Sequence, residues 1–135
     1  MIQFFHVTKR FPTGQLALDD VSFEIPRGQF CFLTGPSGAG KTTLLRLIFR
    51  DETPNEGQIV VHGRNVASIP RGKVPYLRRS IGVVFQNFRL IERKTVFENV
   101  VFLPRLLGHD LARQKRLAFE ALRRVGLSHR LGAFP

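Results

Sequence analysis

Gly35-Pro36-Ser37-Gly38-Ala39-Gly40-Lys41-Thr42-Thr43 decides how this 135-residue chain is read. It fits Gly-x-x-x-x-Gly-Lys-[Ser/Thr], with Gly35, Gly40, Lys41 and Thr42 in the fixed places. Ahead of it, Gln29–Thr34 (Gln-Phe-Cys-Phe-Leu-Thr) is an apolar run that predicts a buried strand. Behind it, Leu44–Arg50 (Leu-Leu-Arg-Leu-Ile-Phe-Arg) predicts a helix. A strand–loop–helix context separates a working phosphate loop from a chance match. Glycines allow backbone N–H groups to converge on phosphate oxygens in conformations that a Cβ hinders. The helix that follows adds unpaired N–H groups and the positive end of its dipole. In such a loop Lys41 reaches the β- and γ-phosphates, and the Thr42 hydroxyl is placed for Mg²⁺.

The composition is that of a folded protein, with 43% hydrophobic and 23% charged residues. No apolar run reaches the ~18 residues that span a bilayer. The opening Met-Ile-Gln-Phe-Phe-His lacks the basic start and apolar core of a signal peptide, so a cytoplasmic chain is expected. The single cysteine, Cys31, falls in the predicted strand and reads as a small core residue. His6, His62, His109 and His129 show no metal-ligand spacing.

Charge is the unusual figure: 21 Lys+Arg against 10 Asp+Glu, a formal net of +11. Such an excess favours polyanions, whether nucleotide, nucleic acid or an anionic lipid surface. Most of the basic residues follow the loop, from Arg64, Arg71 and Lys73 to Arg124 and Arg130. No aromatic-rich RNA-reading motif accompanies them, which argues against nucleic acid.

Ile2–Phe11 alternates loosely and stops at Pro12-Thr13-Gly14, and Val21–Ile25 stops at Pro26-Arg27-Gly28. These segments predict a small antiparallel sheet feeding the loop strand. Phe11 offers a flat face on which adenine could stack, although it is one of 13 phenylalanines. Gln58–His62 predicts a short strand, Ser68–Lys73 a broken loop, and Val74–Arg79 a helical turn. Ile81–Phe85 (Ile-Gly-Val-Val-Phe) predicts a strand covered on both faces, delivering Gln86 at its C-terminal end. Thr95 is placed to cap a helix over Val96–Arg105, with Glu98 at its third position completing a capping box. Asp110 caps a second helix running to Val125, with Leu111, Ala118, Leu122 and Val125 on one face.

Phe11, Gly35–Thr43 and Val-Val-Phe-Gln ending at Gln86, in that order, resemble the N-terminal part of an ABC-type ATPase. The resemblance covers the whole chain. Phe32–Leu45, Val74–Leu90 and Thr95–Val100 are similar to the cell-division, FtsE-kind branch of that family. The fold it implies is α/β: a P-loop NTPase core of ABC type with an N-terminal antiparallel β subdomain and the start of a helical subdomain. Residues 1–28 would be the β region, 29–86 the core to the Q-loop, and 87–135 the helical start.

The cofactors it implies are ATP and Mg²⁺. Phe11 would stack on adenine. Gly35, Pro36, Ser37, Gly38, Ala39, Gly40, Lys41 and Thr42 would wrap the phosphates, and Thr43 would touch the α-phosphate. Thr42 and Gln86 would hold Mg²⁺, with Lys41 and Gln86 as the catalytic pair. The partners it implies are an integral membrane subunit of FtsX kind and a second copy of the full-length subunit. The location it implies is the inner face of the cell membrane, peripherally bound. A lipoprotein-release or amino-acid-import ATPase has a similar loop and Q-loop, and the net charge of +11 also fits a reading of another class, a non-catalytic nucleotide- or polyanion-binding module. The family's signature, Walker B Asp-Glu and switch histidine have no counterpart in these residues; Asp51-Glu52 follows a helix, not an apolar strand. The chain is therefore expected to be an incomplete domain that binds nucleotide and turns it over poorly or not at all.

Overall fold

The computed structural model describes all residues from Met1 to Pro135. The chain divides into two compact units, Met1–Val83 and Val84–Pro135.

The first unit is built on a four-stranded antiparallel sheet of order β2-β1-β3-β4. Its strands are β1 (Ile2–Arg10), β2 (Leu16–Ile25), β3 (Glu56–Val61) and β4 (Arg64–Asn65). β2 starts earlier than its sequence suggested, because the hairpin turn is closed by Phe11 N–H donating to Gln15 O at 2.9 Å. Phe4 and Phe23 sit opposite each other in register, their rings stacked 4.5 Å apart. β3 and β4 are joined by His62-Gly63, both at positive φ (50° and 76°), the two-residue type I′ geometry that matches strand twist.

Helix α1 (Lys41–Ile48) lays Leu44, Leu47 and Ile48 on this sheet, at the i, i+3, i+4 spacing of one helical stripe. They join Phe4, Val7, Leu18, Ile59, Val61, Val66 and Leu77 in one core. Lys9 is buried beside that core, and its Nζ donates to Thr53 O (2.9 Å) and pairs with Glu52 Oε2 (2.8 Å). A buried ammonium is tolerated because both partners are present. A short turn at Arg71–Lys73 leads into α2 (Val74–Arg79).

In the second unit, α3 (Val96–Leu106) and α4 (Leu111–Arg124) pack on each other. The capping box at Thr95 is complete: Glu98 N–H donates to Thr95 Oγ1 (3.2 Å), and Thr95 N–H donates to Glu98 Oε2 (2.8 Å). Asp110 accepts from Arg113 N–H at 2.9 Å and caps α4. The Val96 and Phe97 N–H groups donate to Ala133 and Leu131 carbonyls, so the last residues are tied to the start of α3. The buried stripe of α4 differs from the sequence reading. It is Gln114, Ala118 and Leu122, whereas Leu111 and Val125 are exposed. Gln114 takes the inward place because its Nε2 donates to His109 O at 2.5 Å, satisfying a buried amide.

Backbone N–H groups hold both capping carboxyls below their ordinary values: Thr95 for Glu98, and Arg113 for Asp110. Lowered acids stabilise the fold above their unfolded values, 4.5 and 3.8, and that contribution is lost as pH falls through the lower folded ones. Helical circular dichroism is therefore expected to fall more steeply in acid for wild type than for Glu98→Gln/Asp110→Asn. Superimposable acid titrations would remove the caps from the account.

Two predicted strands do not form. Gln29–Thr34 and Ile81–Phe85 carry no ladder, and Phe30, Phe32 and Val84 are 84%, 79% and 94% exposed. Cys31 is exposed as well, not a core residue. The reason is physical: a strand covered on both faces needs a neighbour on each edge, and every strand present belongs to the β2-β1-β3-β4 sheet. Phe30 and Phe32 stack edge-on against each other instead, 4.8 Å apart. Apolar exposure on this scale predicts strong binding of the dye ANS by the native chain at neutral pH. Fluorescence no higher than that of a compact globular control would mean these segments are covered in solution.

Candidate functional site

Gly35, Gly38 and Gly40 all adopt positive φ (148°, 82° and 83°), in conformations that L side chains rarely take. Gly40 also has no room for a side chain, since a Cβ would lie 2.3 Å from Ala17 O in β2. That close approach seats the start of α1 directly on the sheet. Gly40 is the N-cap of α1 and offers no side-chain acceptor. The first-turn N–H groups of α1 are thus left to whatever acceptor the loop admits. Ala39 N–H donates back to Pro36 O at 3.3 Å, which folds Pro36-Ser37-Gly38-Ala39 into a turn.

Lys41 Nζ bends over this turn and donates to Gly35 O (2.8 Å) and Pro36 O (2.6 Å). An ammonium has three protons, so one remains for an anion held above the loop. Ser37 and Thr42 are exposed and Thr43 is half-buried. Together, Gly35–Thr43 bring N–H groups, hydroxyls and one ammonium into one short run, with no carboxylate in it. Such a donor set fits a polyphosphate, and the Thr42 hydroxyl is available to a cation that a polyphosphate carries.

Two predicted residues lie apart from this loop in the sequence order of elements. Phe11 stands in the β1–β2 hairpin, half-buried, with Lys9 Nζ 5.1 Å from its ring centroid. A cation therefore already addresses a face of that ring. Gln86 belongs to the second unit and is exposed in a turn closed by Phe88 N–H donating to Phe85 O (3.0 Å). Phe88 and Arg89 take positive φ (54° and 49°), and the Arg89 guanidinium lies 3.9 Å from the Phe85 ring centroid.

Sequence reasoning missed Asn99. Its Nδ2 donates to the carbonyls of Ile91, Lys94 and Thr95, and its Oδ1 accepts from Ile91 N–H at 2.8 Å. One side chain thus pins the segment between Gln86 and α3. Nothing in its spacing marks it, because its partners are backbone atoms.

The antiparallel sheet, the glycine loop and the helix it launches define a phosphate-loop α/β fold. Residues 18–134 match the ABC transporter family, and the chain belongs to it. The chain is 42% identical over 135 residues to the cell division ATP-binding protein FtsE of Bacillus subtilis, covering all of this chain and 59% of that protein. It is 40% identical to FtsE of Escherichia coli, covering 61% of it. It is 43% identical over 136 residues to the methionine import ATP-binding protein MetN of Caulobacter vibrioides, covering 41% of it. Among solved structures, the ATP-binding cassette MJ0796, in a dimeric post-hydrolysis state bound to ADP and Pi, superimposes with a TM-score of 0.88 at 30% identity. All of this chain and 62% of that one are covered. The chain thus has the fold of part of an ABC domain, and spans about three fifths of the length of its FtsE relatives. No helix is long and apolar enough to cross a membrane.

Proposed function

We propose that this chain is the nucleotide-binding portion of an ABC-type ATPase subunit of FtsE kind, acting in cell division with an integral membrane subunit. The observation that carries it is the Gly35–Thr43 loop, three of whose glycines hold positive φ while Lys41 arches over Gly35 and Pro36. In this reading the backbone N–H groups of Gly35–Thr42 take the phosphates of ATP. Lys41 would neutralise the β- and γ-phosphates, Thr43 would meet the α-phosphate, and Thr42 and Gln86 would be the residues to hold Mg²⁺. The bound cation supplies charge neutralisation at the phosphates. Phe11 would turn a face to adenine, once Lys9 shares the ring with it. The full-length subunit would work as a homodimer, peripherally bound on the inner face of the cell membrane.

The FtsE relatives favour the cell-division role. The MetN relative supports a second reading, an import ATPase with the same loop. Both use the same nucleotide chemistry.

Hydrolysis needs a carboxylate that polarises water, and no apolar run in these residues ends in Asp-Glu. Equilibrium binding of Mg·ATP to the 135-residue chain, with phosphate release followed in parallel, tests the reading. Saturable binding with negligible turnover is expected. Absence of saturable binding at millimolar nucleotide would overturn it.

A further inference from the structure

Residues 57–91 contain no aspartate or glutamate, yet they hold Arg64, Arg71, Lys73, Arg78, Arg79 and Arg89. Within the first unit this stretch builds a cleft of about 670 Å³ between β4 and α2. Arg64 and Lys73 stand on its walls, Asn65 and Ser68 add polar atoms, and Ile69 and Tyr76 give it an apolar lining. Neither Arg64 nor Lys73 has a salt-bridge partner, and no acidic side chain lines the cleft.

A second cleft, of about 430 Å³, opens on the other side of the same turn and shows what the first lacks. There Arg50, Arg71 and Arg78 face Asp51 and Glu52, so the charges are largely balanced. Two of its three arginines, Arg50 and Arg78, are also committed. Arg50 Nη1 donates to Val66 O (3.0 Å) and Ile69 O (2.6 Å). Arg78 Nε and Nη2 donate to Phe49 O and Arg50 O, both at 3.0 Å. These bonds clamp the Val66–Arg78 segment onto the end of α1. The first cleft is therefore held open on rigid supports, with its cations free.

We propose that this first cleft receives an acidic, apolar-anchored peptide segment of a partner protein. The charge is complementary to carboxylates, which would desolvate Arg64 and Lys73 only if paired. The apolar lining and Tyr76, 64% exposed with the Arg79 guanidinium 5.1 Å from its ring centroid, suit a Leu or Phe anchor. Its size lies within the range of sites that enclose a side-chain-sized or ligand-sized group. The concavity distinguishes this occupant from a bilayer, which presents a flat array of headgroups and needs no cleft.

The test is fluorescence anisotropy of a labelled amphipathic peptide of Glu, Leu and Phe, with its Gln-for-Glu analogue, added to the 135-residue chain. Arg64→Glu/Lys73→Glu is expected to weaken the acidic peptide at least about tenfold. Tyr76→Ala should weaken it less, and the Gln analogue should bind poorly to every variant. Arg113→Glu/Lys115→Glu, on exposed positions of α4, makes the same change in net charge and should leave binding unchanged; Lys41→Ala should do so too. Equal losses in the α4 and cleft variants would reduce the effect to net charge and overturn the site. So would undiminished binding by the cleft variant. Cleft-dependent binding to vesicles of equimolar phosphatidylcholine and phosphatidylserine, without peptide binding, would assign the surface to lipid and overturn the proposal as well.

Discussion

Lys41→Ala is expected to weaken Mg·ATP binding by about a hundredfold, close to 2.7 kcal/mol. The estimate follows from what the ammonium does. A charge-assisted hydrogen bond to a phosphate oxygen contributes about 1.5–3 kcal/mol. The substitution also removes the one positive side chain inside the loop, while ATP keeps its full negative charge. The fold should be spared. The two acceptors of Lys41, the Gly35 and Pro36 carbonyls, belong to exposed residues and can turn to water. Far-UV circular dichroism and the melting temperature should therefore match wild type within error. Isothermal titration calorimetry separates the outcomes: retained affinity in Lys41→Ala would place the nucleotide elsewhere on this basic chain. Lysine-dependent phosphate release by the unmodified chain would mean that a catalytic carboxylate is present, and would remove the expectation of poor turnover.

The parts of this molecule that could be read from sequence are those set by bonds within about four residues. Thr95 with Glu98, and Asp110 ahead of Arg113, announce helix starts because donor and acceptor are near neighbours in the chain. The glycine loop is legible for the same reason, since Gly35, Gly38 and Gly40 answer a local demand on φ. An apolar run is different: it states that burial is wanted but not what will provide it. Gln29–Thr34 and Ile81–Phe85 have strand composition and no strand beside them. Likewise, Leu111 and Val125 have the helical spacing, but the α3–α4 contact selects Gln114, Ala118 and Leu122. The clamps at Arg50, Arg78 and Asn99 were illegible because each reaches backbone carbonyls, which every residue type supplies equally. Their donors say nothing in sequence about which carbonyls they will find.

Gly57→Ala should produce the largest loss of stability among single small substitutions in the first unit. Gly57 lies in β3 at φ 81°, where β1 bulges: the β1–β3 register shifts between Phe5 and Thr8. His6 sits in that bulge at φ 49°, its N–H donating to Ser22 Oγ at 2.8 Å. A Cβ on Gly57 would fall 2.2 Å from His6 O and 2.4 Å from Phe5 O. Both obstacles are main chain, so no rotamer change can relieve them. Either the bulge is pushed out, breaking β1–β3 pairing, or β3 retreats from a core that includes Ile59 and Val61. The cost expected is about 3 kcal/mol, the φ penalty plus the displaced ladder. For a unit of this size that lowers Tm by roughly 10 °C or more. Gly63→Ala isolates the first contribution. Gly63 has φ 76° in the β3–β4 turn, but a Cβ there meets nothing within 4 Å. It should cost only about 1 kcal/mol, the penalty for a non-glycine residue in the left-handed region. Equal shifts in Tm for the two variants would show that backbone conformation alone matters. A clearly larger shift at Gly57 would locate the fold's tightest steric constraint at the bulge, on the sheet that carries α1 and the loop before it.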